Sequence, residues 1–140
     1  MTSQSVNPLV RAGTDSGESI TSRLQAVEKG LPFNVFDQLR QDLDLPRVEL
    51  AGLIQISLRT LNRRKVREYF SPTESERLNR FKDILKLAIN VLEDENQAKQ
   101  WLKSPVGALG GNIPLIFAKH ESGAREVFDL LSRIEHGVFS

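Results

Sequence analysis

"LAGLIQISLRTLNRRKVR", residues 50–67, is the stretch on which the reading of this 140-residue chain turns. Leu50 and Ala51 fit the inner side of one short helix, Ile56 a turn, Ser57 an N-cap, and Leu61 the inner side of a second helix. That spacing predicts a helix-turn-helix. Ala51 is the small residue where the helices cross, Ile56 plugs the corner, and the Ser57 hydroxyl satisfies an N–H at the start of the second helix. The corner needs positive φ near position 55, where glycine is the unstrained choice. This chain has Gln55 there.

With Leu61 turned inward, Arg59, Thr60, Asn62 and Arg63 project outward near the end of the second helix that would enter a major groove. Arg64, Lys65 and Arg67 follow, placed for phosphates. Arg59 or Arg63 has the fork to pair with a guanine edge, and Asn62 the amide to pair with an adenine edge. The bland alternative is an exposed basic helix with no ligand. Five basic residues and no acid between 57 and 67, on a capped helix, favour DNA.

Net charge is only +1, but its distribution is uneven. Residues 46–82 hold nine Lys/Arg (Arg47, Arg59, Arg63, Arg64, Lys65, Arg67, Arg77, Arg80, Lys82) against Glu49, Glu68, Glu74 and Glu76, while both flanks are mildly acidic. A central basic block suits either a local polyanion contact or a salt-bridged, solvated helix face.

The rest of the chain reads as helices. Residues 1–18 are rich in Ser, Thr, Gly and Asn and predict a disordered arm. Ile20, Leu24 and Val27 then recur at helical spacing until Gly30 and Pro32. Phe36, Leu39 and Leu43 mark a helix over about 34–43. "SPTE" at 71–74 is a capping box with Pro at the first helical position. Beyond it Leu78, Phe81, Leu85, Ala88 and Leu92 form one stripe, widened by Ile84, Ile89 and Val91, broad enough to meet two neighbours. Asp94 and Gln97 offer a fresh cap for a helix carrying Ala98, Trp101 and Leu102, which Pro105 ends. A last helix over about 123–136 buries Val127, Leu130, Leu131 and Ile134, with Gly137 past its end. No period-2 strand pattern of useful length occurs, so the expected class is all-α.

Several functions find no support. There is no Cys, and so no disulfide, thiol nucleophile or thiolate metal site. His120 and His136 are too isolated for a zinc site; His136 suits the carbonyl end of its helix, and His120 a polar loop. Asp94 and Glu95 are explained by capping. No catalytic residue, metal or cofactor is expected. The absence of a secretory leader pattern and of a long apolar run fits a cytoplasmic protein without membrane contact. The glycine-rich "VGALGGNIPLIF" at 106–117 resembles a phosphate loop only superficially. It lacks a preceding strand and a Lys-Ser/Thr, and Pro114 removes an N–H. A corner between helices fits better, with Gly110 or Gly111 at positive φ and Pro114 opening a short helix.

Together "GLP" at 30–32, "ISLRTLNRR" at 56–64, "ESERLNRF" at 74–81, "AKQWLKSPVGALGGNIPL" at 98–115 and "SGAREVFDLLSRIEHGVFS" at 122–140 resemble the Xre/MbcA/ParS-type antitoxins that partner RES-domain toxins. The order Trp-Leu, Pro, Leu-Gly-Gly, Pro, then a glycine-led helix ending in His-Gly, is the specific part.

The resemblance implies an Xre-like helix-turn-helix region followed by a helical C-terminal toxin-binding domain. By this reading residues 1–18 are the arm and 19–70 the helix-turn-helix region. Residues 71–104 hold the long and connecting helices, expected to dimerise, and 105–140 the toxin-binding domain. It further implies two partners, operator DNA and a RES-domain toxin that degrades NAD or transfers ADP-ribose from it, within a complex containing an antitoxin homodimer. The NAD site would belong to the toxin. The implied DNA-binding set is Ser57, Arg59, Thr60, Asn62, Arg63, Arg64, Lys65 and Arg67. The implied toxin-binding set is Leu109, Gly110, Gly111, Pro114, Lys119, Arg125, His136, Gly137, Phe139 and Ser140. An NAD pocket must hold cations for the diphosphate, so an anionic tail entering it is chemically sensible. The alternative is a stand-alone dimeric regulator whose C-terminal half binds a small ligand or only dimerises.

Overall fold

The computed structural model describes residues 30–137. The expected arm, the helix of Ile20, Leu24 and Val27, and the tail residues Phe139 and Ser140 lie outside the described residues. Seven α-helices follow in order: α1 (Asn34–Leu43), α2 (Arg47–Leu53), α3 (Leu58–Arg67), α4 (Pro72–Leu92), α5 (Glu95–Leu102), α6 (Pro114–Phe117) and α7 (Glu121–Glu135). A single 3₁₀ turn, Gly107–Leu109, sits between α5 and α6. Among the described residues there is no strand, only two isolated bridges, Pro32 with Tyr69 and Val106 with Asn112.

The helix boundaries follow their caps. Ser57 Oγ accepts from Thr60 N–H at 3.0 Å and opens α3. Ser71 Oγ accepts from Glu74 N–H at 3.2 Å while a Glu74 carboxylate oxygen accepts from Ser71 N–H at 2.9 Å, so the capping box is complete. Asp94 accepts from Gln97 N–H at 2.9 Å and starts α5. The last helix begins two residues before the expected Gly123, because Glu121 and Ser122 form its first turn ahead of the buried glycine.

The helix α4 is the central strut. Leu78, Phe81, Ile84, Leu85 and Ala88 are buried, and α5 and α7 pack along it. At its N-terminal end Phe33, Phe36 and Phe70 group with ring centroids 5.5–6.0 Å apart. The "GLP" entry pairs with the link into α4: Phe70 N–H donates to Leu31 O, Phe33 N–H to Glu68 O, and Leu31 N–H to the buried Ser75 Oγ. Gly30 is required there. Its φ is +93°, and a Cβ would lie 2.1 Å from Phe70 O.

In the C-terminal half, Val106 N–H donates to Asn112 O and Gly111 N–H to Val106 O, closing the corner around the 3₁₀ turn. Both Gly110 and Gly111 have positive φ, and Pro114 opens α6 as expected. Gly123 lets α7 lie against the end of α6, since a Cβ there would come within 1.8 Å of Phe117 O.

Candidate functional site

The helices α2 and α3 form the helix-turn-helix that the spacing predicts. Leu50, Ala51 and Leu61 are buried where the helices cross, and Ile56 packs partly buried against the core. Gln55 takes φ of +65°, the left-handed corner that glycine usually fills. Its side chain has a second use. Gln55 Nε2 donates to Lys119 O at 3.3 Å, at the end of α6.

On α3, Arg59, Asn62, Arg63, Lys65 and Arg67 are exposed, and none of them forms an ion pair among the described residues. Arg59, Asn62 and Arg63 line one shallow concavity with Val66, which is 85% exposed. Sequence reasoning passed over Val66, because one apolar residue in a basic helix carries no periodic signal. Ser57 and Thr60 act on the helix start, with the Ser57 hydroxyl also 3.2 Å from Thr60 Oγ1.

Arg64 is a correction. It turns away from the outward row and grips Glu74 with both arms, Nε to Oε1 at 2.7 Å and Nη2 to Oε2 at 2.9 Å. The two side chains are only 15% and 10% exposed. Burial favours the neutral form of Glu74, but the hydrogen bonds from Arg64 and Ser71, with the Arg64 charge, outweigh it and hold the carboxyl below its ordinary value. The hydrogen bond to Glu74 likewise raises Arg64, against the opposing effect of burial. The pair fixes the C-terminal part of α3 against the first turn of α4, a structural role in place of a phosphate contact.

The basic block divides the same way. Arg47 pairs with Asp37 at 3.3 Å, Arg77 Nη1 donates to Ile54 O at 3.2 Å, and Arg80 Nη1 donates to Lys119 O at 3.1 Å and Ala118 O at 3.4 Å. Four of the nine cations therefore hold the fold together. The exposed remainder is concentrated on α3, so a structural reading applies to these four and a polyanion contact would have to be made by α3.

The C-terminal residues expected to meet a partner separate into two places. Leu109 and Pro114 are buried and their side chains belong to the core, a second correction: the same apolarity that made them candidates draws them inward. Gly110 and Gly111 are exposed at the corner, Lys119 is half-buried at the end of α6, and Arg125 is exposed on α7. His136 lies eleven residues further along α7, about 16 Å by helical rise. Its Nδ1 is 2.8 Å from Ser132 O, which satisfies the helix end, and Gly137 follows at φ +69°. Among the described residues no group of His, Asp and Glu is arranged to hold a metal ion, and no helix is long and apolar enough to cross a membrane.

Comparison with known proteins matches this arrangement half by half. Residues 22–81 match the antitoxin Xre-like helix-turn-helix domain, and residues 87–137 match the antitoxin Xre/MbcA/ParS C-terminal toxin-binding domain. A protein named Antitoxin Xre from Yersinia enterocolitica is 34% identical over 122 residues, covering 86% of this chain and 82% of its own length. The chain belongs to the Xre antitoxin family. A second Antitoxin Xre, from Photorhabdus laumondii, is 31% identical over 139 residues, covering 96% of this chain and 92% of its own. In this family member the matched helix-turn-helix domain carries α1–α3 and the first half of α4. The matched toxin-binding domain carries the end of α4, α5, the glycine corner, α6 and α7.

Proposed function

We propose that this antitoxin neutralises a RES-domain toxin by covering its NAD-consuming active site, and that it represses its own operon through α3. It acts by binding and carries out no catalytic step. The observation that carries the reading is the joining, through the continuous helix α4, of an exposed cationic α3 to a matched toxin-binding domain. In the DNA role, Arg59, Asn62 and Arg63 read base edges while Lys65 and Arg67 sit on phosphates. Two copies, meeting through the helices of residues 71–104, would present two such heads to a two-fold operator. In the toxin role, residues 105–140 make the contact. The glycine corner, Lys119 and Arg125 form one part of it, and the end of α7 with residues 137–140 the part that enters the NAD pocket.

Co-expression with the neighbouring gene tests this directly. The neighbouring product alone should arrest growth and deplete NAD, and the pair should restore both and co-purify. An operator shift assay with the purified chain tests the second role. A neighbouring product that leaves NAD untouched removes the RES reading, and a chain that regulates without any protein partner favours the stand-alone regulator.

A further inference from the structure

Between the two matched domains runs an open groove of about 660 Å³. Val48, Gly52 and Leu53 of α2 form one wall, and Ile113 and Ile116 at the start of α6 form the other. The walls do not close on each other: Val48 is 57% exposed and Ile116 58%. Burying such side chains is favourable, so their common exposure across one groove marks a contact surface more than chance scatter does.

Gly52 sharpens the point. It lies inside α2, where glycine is less favourable than alanine. Neither of the usual reasons for glycine applies: its φ is not positive, and a Cβ would meet nothing within 4 Å. What the missing side chain does provide is clear space on the groove wall.

We infer that this groove receives an apolar, acid-bearing segment of the toxin, so that α2 of the DNA-reading half is part of the toxin contact. The inference rests on the reading above that the C-terminal half grips a toxin. Three observations choose the occupant. One wall, with Lys119, belongs to the toxin-binding domain, so the groove continues that surface. Lys103 and Lys119 line the groove against a single acid, Glu49; Lys103 Nζ donates to Leu43 O at 3.0 Å and Asp44 O at 3.4 Å, so Lys119 is the cation left to meet a carboxylate. A second copy fits less well. Among the described residues the other exposed large hydrophobics, Leu58, Val66 and Tyr69, lie on or beside α3, and they would bring Arg59, Arg63, Lys65 and Arg67 against Lys119. The Lys119 wall is held in place, because Gln55 and Arg80 both donate to its carbonyl oxygen. Toxin seated here would bear directly on the corner of the helix-turn-helix.

The test is Gly52→Leu in the full chain, titrated against the neighbouring gene product in catalytically inactive form. Leucine is a better helix former than glycine, so the melting temperature should hold or rise. Toxin affinity should nevertheless fall roughly tenfold or more, about one well-filled contact. Lys119→Glu should weaken binding as well, with an altered salt dependence, since only its side chain changes and its carbonyl anchor remains. Unchanged affinity in Gly52→Leu overturns the inference while leaving the proposed function standing. A change in self-association by light scattering, with toxin affinity intact, assigns the groove to a second copy and overturns it too. Failure of the unaltered chain to bind the toxin overturns the proposed function, and the groove assignment with it.

Discussion

Consider replacing Arg64 by alanine. On α3 it stands between Arg63 and Lys65, and by position alone it should contact phosphate. The structure places it elsewhere, with two hydrogen bonds of 2.7 and 2.9 Å to Glu74, both side chains largely buried. A charge-assisted bond contributes about 1.5–3 kcal/mol, and an unpaired buried charge costs several more, although residual solvent at 10–15% exposure softens that penalty. Arg64→Ala should therefore destabilise the fold by roughly 2–3 kcal/mol, lowering the melting temperature by about 8 °C for a domain of this size. Glu74→Ala should do the same and also remove half of the capping box. In the double variant the two losses should overlap, with a coupling of about 1–2 kcal/mol. Melting followed by helical circular dichroism measures the stabilities. The salt slope of operator binding then separates the roles: Lys65→Ala should reduce it by about one, and Arg64→Ala should leave it unchanged. If Arg64→Ala melts like the unaltered chain and loses one unit of salt slope, the reasoning fails. The pair also has a pH signature. Glu74 is lowered in the folded state, so its contribution is fully present above the unfolded value near 4.5 and is lost as pH falls through the folded value. Glu74→Gln should flatten that part of the acid unfolding curve.

Other expectations follow from the same geometry. Arg59→Ala and Arg63→Ala should each weaken operator binding by about 1–3 kcal/mol with no loss of thermal stability, since both side chains are exposed; a shift assay across a salt series checks this. Gly123→Ala, which helix propensity alone would favour, should instead lower stability by roughly 3 kcal/mol, because its Cβ would collide with the Phe117 carbonyl; a melting curve like that of the unaltered chain would contradict the close packing of α6 and α7. Deleting residues 137–140 should abolish toxin neutralisation in the growth assay before it alters the helical spectrum of the chain, and full protection by the truncated chain would sink the role given to the tail.

The parts legible in the sequence are those governed by short-range rules. Ser57, Ser71 and Asp94 announce their helices because a cap and its N–H partner are three residues apart. The stripe from Leu78 to Ala88 declares its buried face through helical periodicity alone. The corner at 106–114 is readable because glycine and proline restrict the backbone directly. What sequence could not give are contacts set by the fold. Nothing local separates Arg64 from Arg63, and the ten-residue reach to Glu74 exists only once α3 has turned back on α4. Arg77 and Arg80 look like members of a cationic surface until the carbonyls of Ile54 and Lys119 are brought beneath them. Leu109 and Pro114 sit in a motif that suggests recognition, yet their apolar side chains serve the core.

The helix α4 has a consequence for anyone wishing to recombine this protein. The helix-turn-helix match ends at residue 81 and the toxin-binding match begins at 87, so the join between the two halves lies inside one continuous helix of 21 residues. A linker can be cut and respliced freely, but a helix transmits phase. Adding one residue between Lys82 and Lys86 would advance one half by about 1.5 Å and turn it by roughly 100° against the other. Exchanging the reading head for that of a relative therefore requires a splice that keeps helical register, and a graft one residue out would aim a sound head in the wrong direction.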